Sequence, residues 1–292
     1  MAQLNKSLRL FHRVAIIGVG LMGGSLAGAI KKYSLSSEVV GIDQAPSTLE
    51  KARGLGLIDQ AFVKPEEGVE GADLVVLAVP VGSIVSLASR VINFLREGTI
   101  LTDLGSVKAP IVKEIEAFMP QEVFFIGGHP ITGREGSGPE ASSPDLFKGA
   151  NCILTVTHKT DPLALQRLKV LWHGVGSLVV LMDPHRHDHI FAATSHLPHI
   201  VAYSLVNTLL NLEEGKGDLL SYGAGGLKDF TRIAASHPTL WRDICLHNSE
   251  EVLAMIARFK EALGKIEGMI ATRDGEGLQA EFERARVVRS KI

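Results

Sequence analysis

The sequence predicts an α/β fold: a doubly wound, mostly parallel sheet, followed by an all-helical region. Three observations carry that prediction. Short β-rich apolar runs alternate with helical patterns through the first part of the chain. A glycine-rich turn, Gly18-x-Gly20-x-x-Gly23, joins the first such run to the first helical pattern. After Asp183-Pro184 no β-rich run recurs. Alternation of this kind implies a parallel sheet with helices on both faces, and helix alone implies a bundle.

Taken in order, the strand candidates are Arg13–Ile17, Glu38–Ile42, Leu74–Val79, Ile100–Thr102, Val123–Gly127 and Cys152–Thr157. Between the early ones lie helical stretches at Leu21–Tyr33, Pro46–Gly54, Gly82–Leu95 and Lys108–Phe118. Leu163–Trp172 and Ser177–Leu181 read as a further helix and strand of the same domain. Asp183 is a suitable N-cap, with Pro184 at the first helical position. Helical patterns then follow at His185–Leu212, Pro238–Leu246, Ser249–Thr272 and Gly275–Val288. The boundary is therefore expected near residue 183, with domains at 1–183 and 184–292. Ile190–Leu212 is apolar nearly all round, and such a helix is normally buried. A small helical domain cannot easily cover it alone, which points to a homodimer paired through that domain.

Each glycine of the turn has a physical task. Gly18 permits the tight strand-to-helix turn, Gly20 lets a pyrophosphate approach the backbone, and Gly23 lets helix and strand pack closely. The helix start offers unpaired N–H groups to phosphates. The second strand ends in Asp43, 25 residues after Gly18, where a carboxylate would accept hydrogen bonds from ribose hydroxyls. That makes the first domain a Rossmann-type dinucleotide-binding one. Asp43 would repel a 2′-phosphate, and no Arg or Lys follows it before Lys51, so NAD is favoured over NADP. The candidate cofactor contacts are Gly18, Gly20, Leu21, Met22, Gly23, Asp43, Val79 and Pro80.

Composition excludes several other classes. With 46% hydrophobic and 21% charged residues the chain is ordinarily globular, and a net charge of −2 invites neither nucleic acid nor an anionic membrane. No apolar run approaches the ~20 residues of a membrane span. The first eleven residues lack a signal-peptide pattern, so a cytoplasmic enzyme is expected. Cys152 and Cys245 have no metal-like spacing and read as core filler.

In a doubly wound sheet, ligands sit beyond the carboxyl ends of the strands. Four polar segments are candidates. Thr102–Lys108 follows one strand, and its Ser106 either faces a nicotinamide or caps the next helix. Gly127–Gly136 places His129 just after another strand. A histidine on a rigid strand end can take the proton of a hydroxyl being oxidised, though a histidine in a turn is often structural. Ser195-His196-Leu197-Pro198-His199 sets His196 and His199 on one helical face, with Pro198 freeing a carbonyl and kinking the helix. Nearby His185, His187 and His189 raise the idea of a metal, but they alternate by two, so His187 points away from the other pair; no metal is expected. Gly225–Ala234 carries Asp229 and Arg232, three apart, either a surface ion pair or a fork for a substrate carboxylate.

In chain order these motifs read G-x-G-L-x-G-G-S, D-x-G-S-x-K, G-x-H-P-x-x-G, S-H-L-P-H and G-L-x-D-x-T-R-I. The set resembles the prephenate/arogenate dehydrogenases of tyrosine biosynthesis, over nearly the whole chain. The resemblance implies NAD-dependent oxidative decarboxylation of prephenate to 4-hydroxyphenylpyruvate, or of arogenate to tyrosine, by a homodimer. It implies that His129 hydrogen-bonds the ring hydroxyl and that Ser106 orients that histidine and the nicotinamide. It further implies that Arg232, with Asp229 beside it, binds a substrate carboxylate. Ser195, His196 and His199 would line the pocket, with Glu135 at its mouth. Thr132 departs from the family pattern, where Ala is expected, and Arg134 has no assigned role. Two other readings stay open: a β-hydroxyacid-type dehydrogenase, whose catalytic Lys and Asn find no convincing match here, and a non-catalytic NAD-sensing regulator.

Overall fold

A computed structural model of the chain describes residues 9–134, 136–212 and 222–291. It forms two compact units, Met1–Ile190 with Ser236–His247, and Phe191–Ala235 with Asn248–Ile292. The first unit runs β1 (Phe11–Ile17), α1 (Leu21–Lys32), β2 (Ser36–Ile42), α2 (Pro46–Gly54), β3 (Gln60–Phe62), α3 (Pro65–Val69), β4 (Leu74–Leu77), α4 (Val81–Val91), β5 (Ile100–Asp103) and α5 (Ala109–Phe118). It continues with β6 (Phe124–Ile126), β7 (Gly128–Pro130), β8 (Asn151–Thr155), α6 (Pro162–Gly174), β9 (Leu178–Met182) and α7 (Pro184–Phe191). Asp183 caps α7 as its sequence predicts, accepting from the N–H groups of His185 and Arg186 at 2.9 and 3.1 Å.

Six strands form a parallel sheet in the order β3-β2-β1-β4-β5-β6. The order reverses between β1 and β4, which is where a doubly wound sheet opens a crevice. Both faces are covered, so Val14–Ile17 of β1, Val39–Ile42 of β2 and the whole of β4 are buried without a break. Alternate residues serve opposite faces. Val14, Ile16, Val39, Leu74 and Val76 join Leu26 and Ile30 of α1 and Leu168 and Trp172 of α6. Ala15, Ile17, Val40, Val75 and Leu77 join Ile84 of α4 and Ile111 of α5. The turn after β1 is sterically specified. Gly18 has φ +91°, and a Cβ there would collide with the carbonyl oxygen of Ala78 at the end of β4.

Two features depart from the sequence reading. The short strands β3 and β7 carry no alternating apolar pattern and read as connections. The Cys152–Thr157 and Ser177–Leu181 candidates do not extend the large sheet: β8 and β9 pair in parallel, and β7 pairs antiparallel to β8, making a second, three-stranded sheet. The chain passes from one sheet to the other at Gly127-Gly128. A Cβ on Gly127 would stand 2.6 Å from Thr155 Oγ1, and one on Gly128 2.7 Å from the Asp103 carbonyl oxygen. Only glycines let the strand cross so closely.

The first unit also takes in α10 (Pro238–His247), whose Ile244 is buried against the α4–α5 side of the sheet, with Trp241 packed beside it. The second unit holds a π-helical turn at Ala192–His196, then α8 (Leu197–Leu212), α9 (Gly225–Thr231), a 3-10 turn at Arg232–Ala235, α11 (Ser249–Thr272) and α12 (Gly275–Arg289). Its buried core is thin: among the described residues Ala192, Val252 and Met255 cluster together, and Ala202 is buried besides. No helix among the described residues is long and apolar enough to cross a membrane.

The contrast between two glycines tests the account of the first turn. Gly18→Ala should cost about 2–4 kcal/mol in urea unfolding, since overpacking and a positive φ add. Gly20→Ala meets nothing within 4 Å and should change stability by less than about 1 kcal/mol.

Candidate active site

The β1–α1 turn and the end of β2 face one another. Asp43 accepts from the Val19 N–H at 3.3 Å through Oδ2 and from the Ala45 N–H at 3.0 Å through Oδ1, so its carboxylate is held beside the glycine loop. Gly20 caps α1 without a side chain, and the first turn of that helix carries no acidic residue. Its amides and the positive end of its dipole are thus available to an anion. Leu21 and Met22 begin the helix half-buried, and the Val79 side chain abuts Gly18 just before Pro80 caps α4. These residues fit a dinucleotide, with open space over Gly20 for a pyrophosphate and the Asp43 carboxylate for a ribose.

His129 is the middle residue of β7, opposite Ile153 of β8. Its Nδ1 lies 2.8 Å from Nε2 of His187, with the rings edge to face at 60°. His187 is fully buried at the start of α7, and its Nδ1 lies 2.7 Å from Oδ1 of Asp188. Burial pushes the His187 pKa below the usual histidine value, a shift that Asp188 opposes. Asp188 in turn accepts from the backbone N–H groups of Lys108 and Ala109, each at 2.8 Å, and so caps α5 from a distant point in the sequence. Beneath this lies a fully buried ion pair between the Lys108 ammonium and the Asp103 carboxylate. Lys108 Nζ also donates to the Gly128 carbonyl at 2.9 Å, and Asp103 accepts from the N–H groups of Gly105 at 2.8 Å and Gly128 at 3.3 Å.

Ser106 is half-buried in the loop between β5 and α5, and its hydroxyl makes no hydrogen bond to another described residue. It is not the cap of α5; Lys108 occupies that position and Asp188 supplies the acceptor. Glu135 lies outside the described residues.

In the second unit, Pro198 cannot donate a backbone hydrogen bond, and the helix answers with the π turn at Ala192–His196. The His199 Nδ1 donates to the Ser195 carbonyl at 2.9 Å, so His199 carries its hydrogen on that nitrogen. Its pKa is lowered by burial and further by the Arg232 charge, which the fold brings near it. His196 is buried, with its Nδ1 3.2 Å from the Asn248 amide nitrogen. Asp229 and Arg232 are exposed and form no ion pair with each other. His185 and His189 are exposed, whereas His187 turns inward, as the alternation by two requires.

The family described as "Prephenate dehydrogenase, nucleotide-binding domain" matches residues 26–181, and "Prephenate dehydrogenase, dimerization domain" matches residues 183–284. The chain belongs to the prephenate dehydrogenase family. It is 35% identical to the cyclohexadienyl dehydrogenase of Zymomonas mobilis, over 97% of this chain and 96% of that one. It is 36% identical to the prephenate dehydrogenase of Bacillus subtilis, over 96% of this chain and 76% of the relative. Among solved structures, that of Aquifex aeolicus prephenate dehydrogenase in complex with hydroxyphenyl propionate and NAD+ superposes with a TM-score of 0.92. It is 38% identical, and the match covers 98% of this chain and 99% of that one.

Sequence reasoning singled out His129 but missed the groups behind it. Lys108 was visible as the last residue of D-x-G-S-x-K, and the spacing of His185, His187 and His189 pointed His187 away from the other two. Neither signal tells what those side chains meet, because their partners come from segments far away in sequence.

The buried pair generates a stability test. Lys108→Met leaves the Asp103 carboxylate buried and uncompensated, and should cost about 3–5 kcal/mol in equilibrium unfolding. Replacing both, Asp103→Leu with Lys108→Met, should recover part of that loss. A Lys108→Met protein as stable as the parent would contradict the role given to the pair.

Proposed function

We propose that this chain oxidises prephenate to 4-hydroxyphenylpyruvate with NAD+ as acceptor, working in the cytoplasm as a homodimer paired through its helical domain. On this reading residues 1–183 bind the cofactor, and residues 184–292 hold substrate and pair the subunits. The observation that carries it is the pairing of a held carboxylate at Asp43, beside a glycine loop that fits a dinucleotide, with a strand-borne histidine backed by a buried polar network. Bound NAD+ supplies the hydride acceptor.

The substrate is a cyclohexadienol with a ring carboxylate opposite the hydroxyl-bearing carbon. His129 accepts a hydrogen bond from that hydroxyl and polarises it as the carbon gives up its hydride. The electrons of the bond to the departing carboxylate close the aromatic ring, CO₂ leaves, and the product keeps a phenol. Aromatisation drives the step, so the protein's task is to hold and orient. Arg232 binds a carboxylate of the substrate, with Asp229 nearby, while Ser195, His196 and His199 line the pocket and Ser106 borders the nicotinamide. Burial and the Arg232 charge lower the His199 pKa and so favour the neutral ring, whose Nδ1 hydrogen goes to the Ser195 carbonyl. Arogenate, which carries an amino group where prephenate carries a keto group, is the alternative substrate.

The two free cysteines, Cys152 in the core and Cys245 half-buried, suit a reducing compartment. The thin core of the second unit supports pairing. Leu253, Phe259, Leu263 and Ile270 of α11 and Phe282 of α12 are exposed in the single chain, and α8 buries only Ala202. An apolar surface of this kind marks an interface.

Variants of the two principal residues should fail differently in steady-state assays of NADH formation. His129→Asn should lower kcat by roughly 10²–10⁴ with little change in KM. Arg232→Gln should raise KM for prephenate and leave NAD+ binding near the parent value. Normal turnover by His129→Asn, or weakened NAD+ binding in Arg232→Gln, would refute the roles. Light scattering of the protein at micromolar concentration should report twice the chain mass, and a clean monomer would refute the pairing.

A further inference from the structure

Asp188 accepts from the backbone amides of Lys108 and Ala109 and lies 2.7 Å from Nδ1 of His187. Surrounded by donors, it acts as an acceptor, so His187 carries its hydrogen on Nδ1. His187 is fully buried, and burial favours the neutral ring, in which Nε2 then bears a lone pair. Nε2 of His187 stands 2.8 Å from Nδ1 of His129, and two nitrogens at that distance need one hydrogen between them. The hydrogen belongs to His129, which donates from Nδ1. A neutral His129 is thereby left with its lone pair on Nε2, at the other edge of the ring.

We infer that His187 and Asp188 are positioning residues that fix the tautomer of His129, so that Nε2 of that ring is the acceptor for the substrate hydroxyl. The inference rests on the function proposed above for His129. The relay is anchored at its far end, because Asp188 is held by two backbone amides at the start of α5. It is anchored at its near end too, because Lys108 Nζ grips the Gly128 carbonyl next to His129. Both ring position and ring tautomer are thus set by groups that never touch the substrate. A histidine held in the wrong tautomer keeps its place and loses its function as a base.

The direct test is ¹⁵N NMR of the protein with labelled histidines, with His129 among the 11 histidines assigned by comparison with His129→Asn. The expected result is a hydrogen on Nδ1 and a bare Nε2 at His129. A hydrogen on Nε2 overturns the inference, and this measurement needs no further variant. Two substitutions then separate positioning from packing. His187→Leu keeps bulk but offers no acceptor, and should lose the Nδ1–H signature and lower kcat for prephenate about 10–100-fold, with KM for prephenate and NAD+ within about threefold. His187→Gln retains a carbonyl oxygen able to accept from His129, and should keep more of both the signature and kcat than the Leu variant. A His187→Leu enzyme with parental kcat, or equal losses in the two variants, overturns the inference. An unsubstituted protein with the expected tautomer but no turnover of prephenate counts against the proposed substrate and upholds the relay.

Discussion

Where the chain crosses from the six-stranded sheet to the three-stranded one, a lysine ammonium and an aspartate carboxylate lie in full burial against each other. Removing two charges from water is expensive, and their mutual attraction repays it only when the remaining donors and acceptors are also met. Here they are. Asp103 takes two backbone N–H groups besides Lys108, and Lys108 reaches the carbonyl of Gly128. The pair therefore ties the end of β5 and the start of α5 to the strand that bears His129. The glycines at 127 and 128 belong to the same constraint, since any side chain there would push the second sheet away from the first.

This arrangement divides labour within the first unit. The open end of the β1–β4 crevice, with its bare helix start and Asp43, is suited to a dinucleotide. The join between the sheets is suited to holding one imidazole still. Loops carry much of enzyme function, but a base that must meet a reacting hydroxyl gains from sitting on a strand fixed by buried contacts. The second unit is built differently. Its helices bury few of their own apolar residues, and a π turn beside Pro198 lets His199 bond the Ser195 carbonyl.

Much of this was legible in the amino-acid sequence for physical reasons. The apolar runs and helical periods located β1, β2, β4, β5 and the long helices, because burial on both faces imposes a pattern that composition alone reveals. The glycine turn and Asp43 were legible because each residue answers a local steric or hydrogen-bonding demand. β7 was not, since Gly128-His129-Pro130 has turn composition and becomes a strand only through β8, some twenty residues on. Likewise the alternation of His185, His187 and His189 sets His187 apart, and only the fold shows that its partner is His129. The resemblance implies that Ser106 orients the histidine; that His187, on a helix in a later part of the chain, also meets it was not legible.

On the proposed function, a buried polar network presents His129 Nε2 to a hydroxyl undergoing oxidation. A crystal structure of the protein with NAD+ and an unreactive phenolic analogue of the product would test it most directly. Nε2 of His129 is expected within about 3 Å of the phenol oxygen, with Nδ1 still on His187. A phenol oxygen held by another side chain, with His129 turned away from it, would overturn that role of His129.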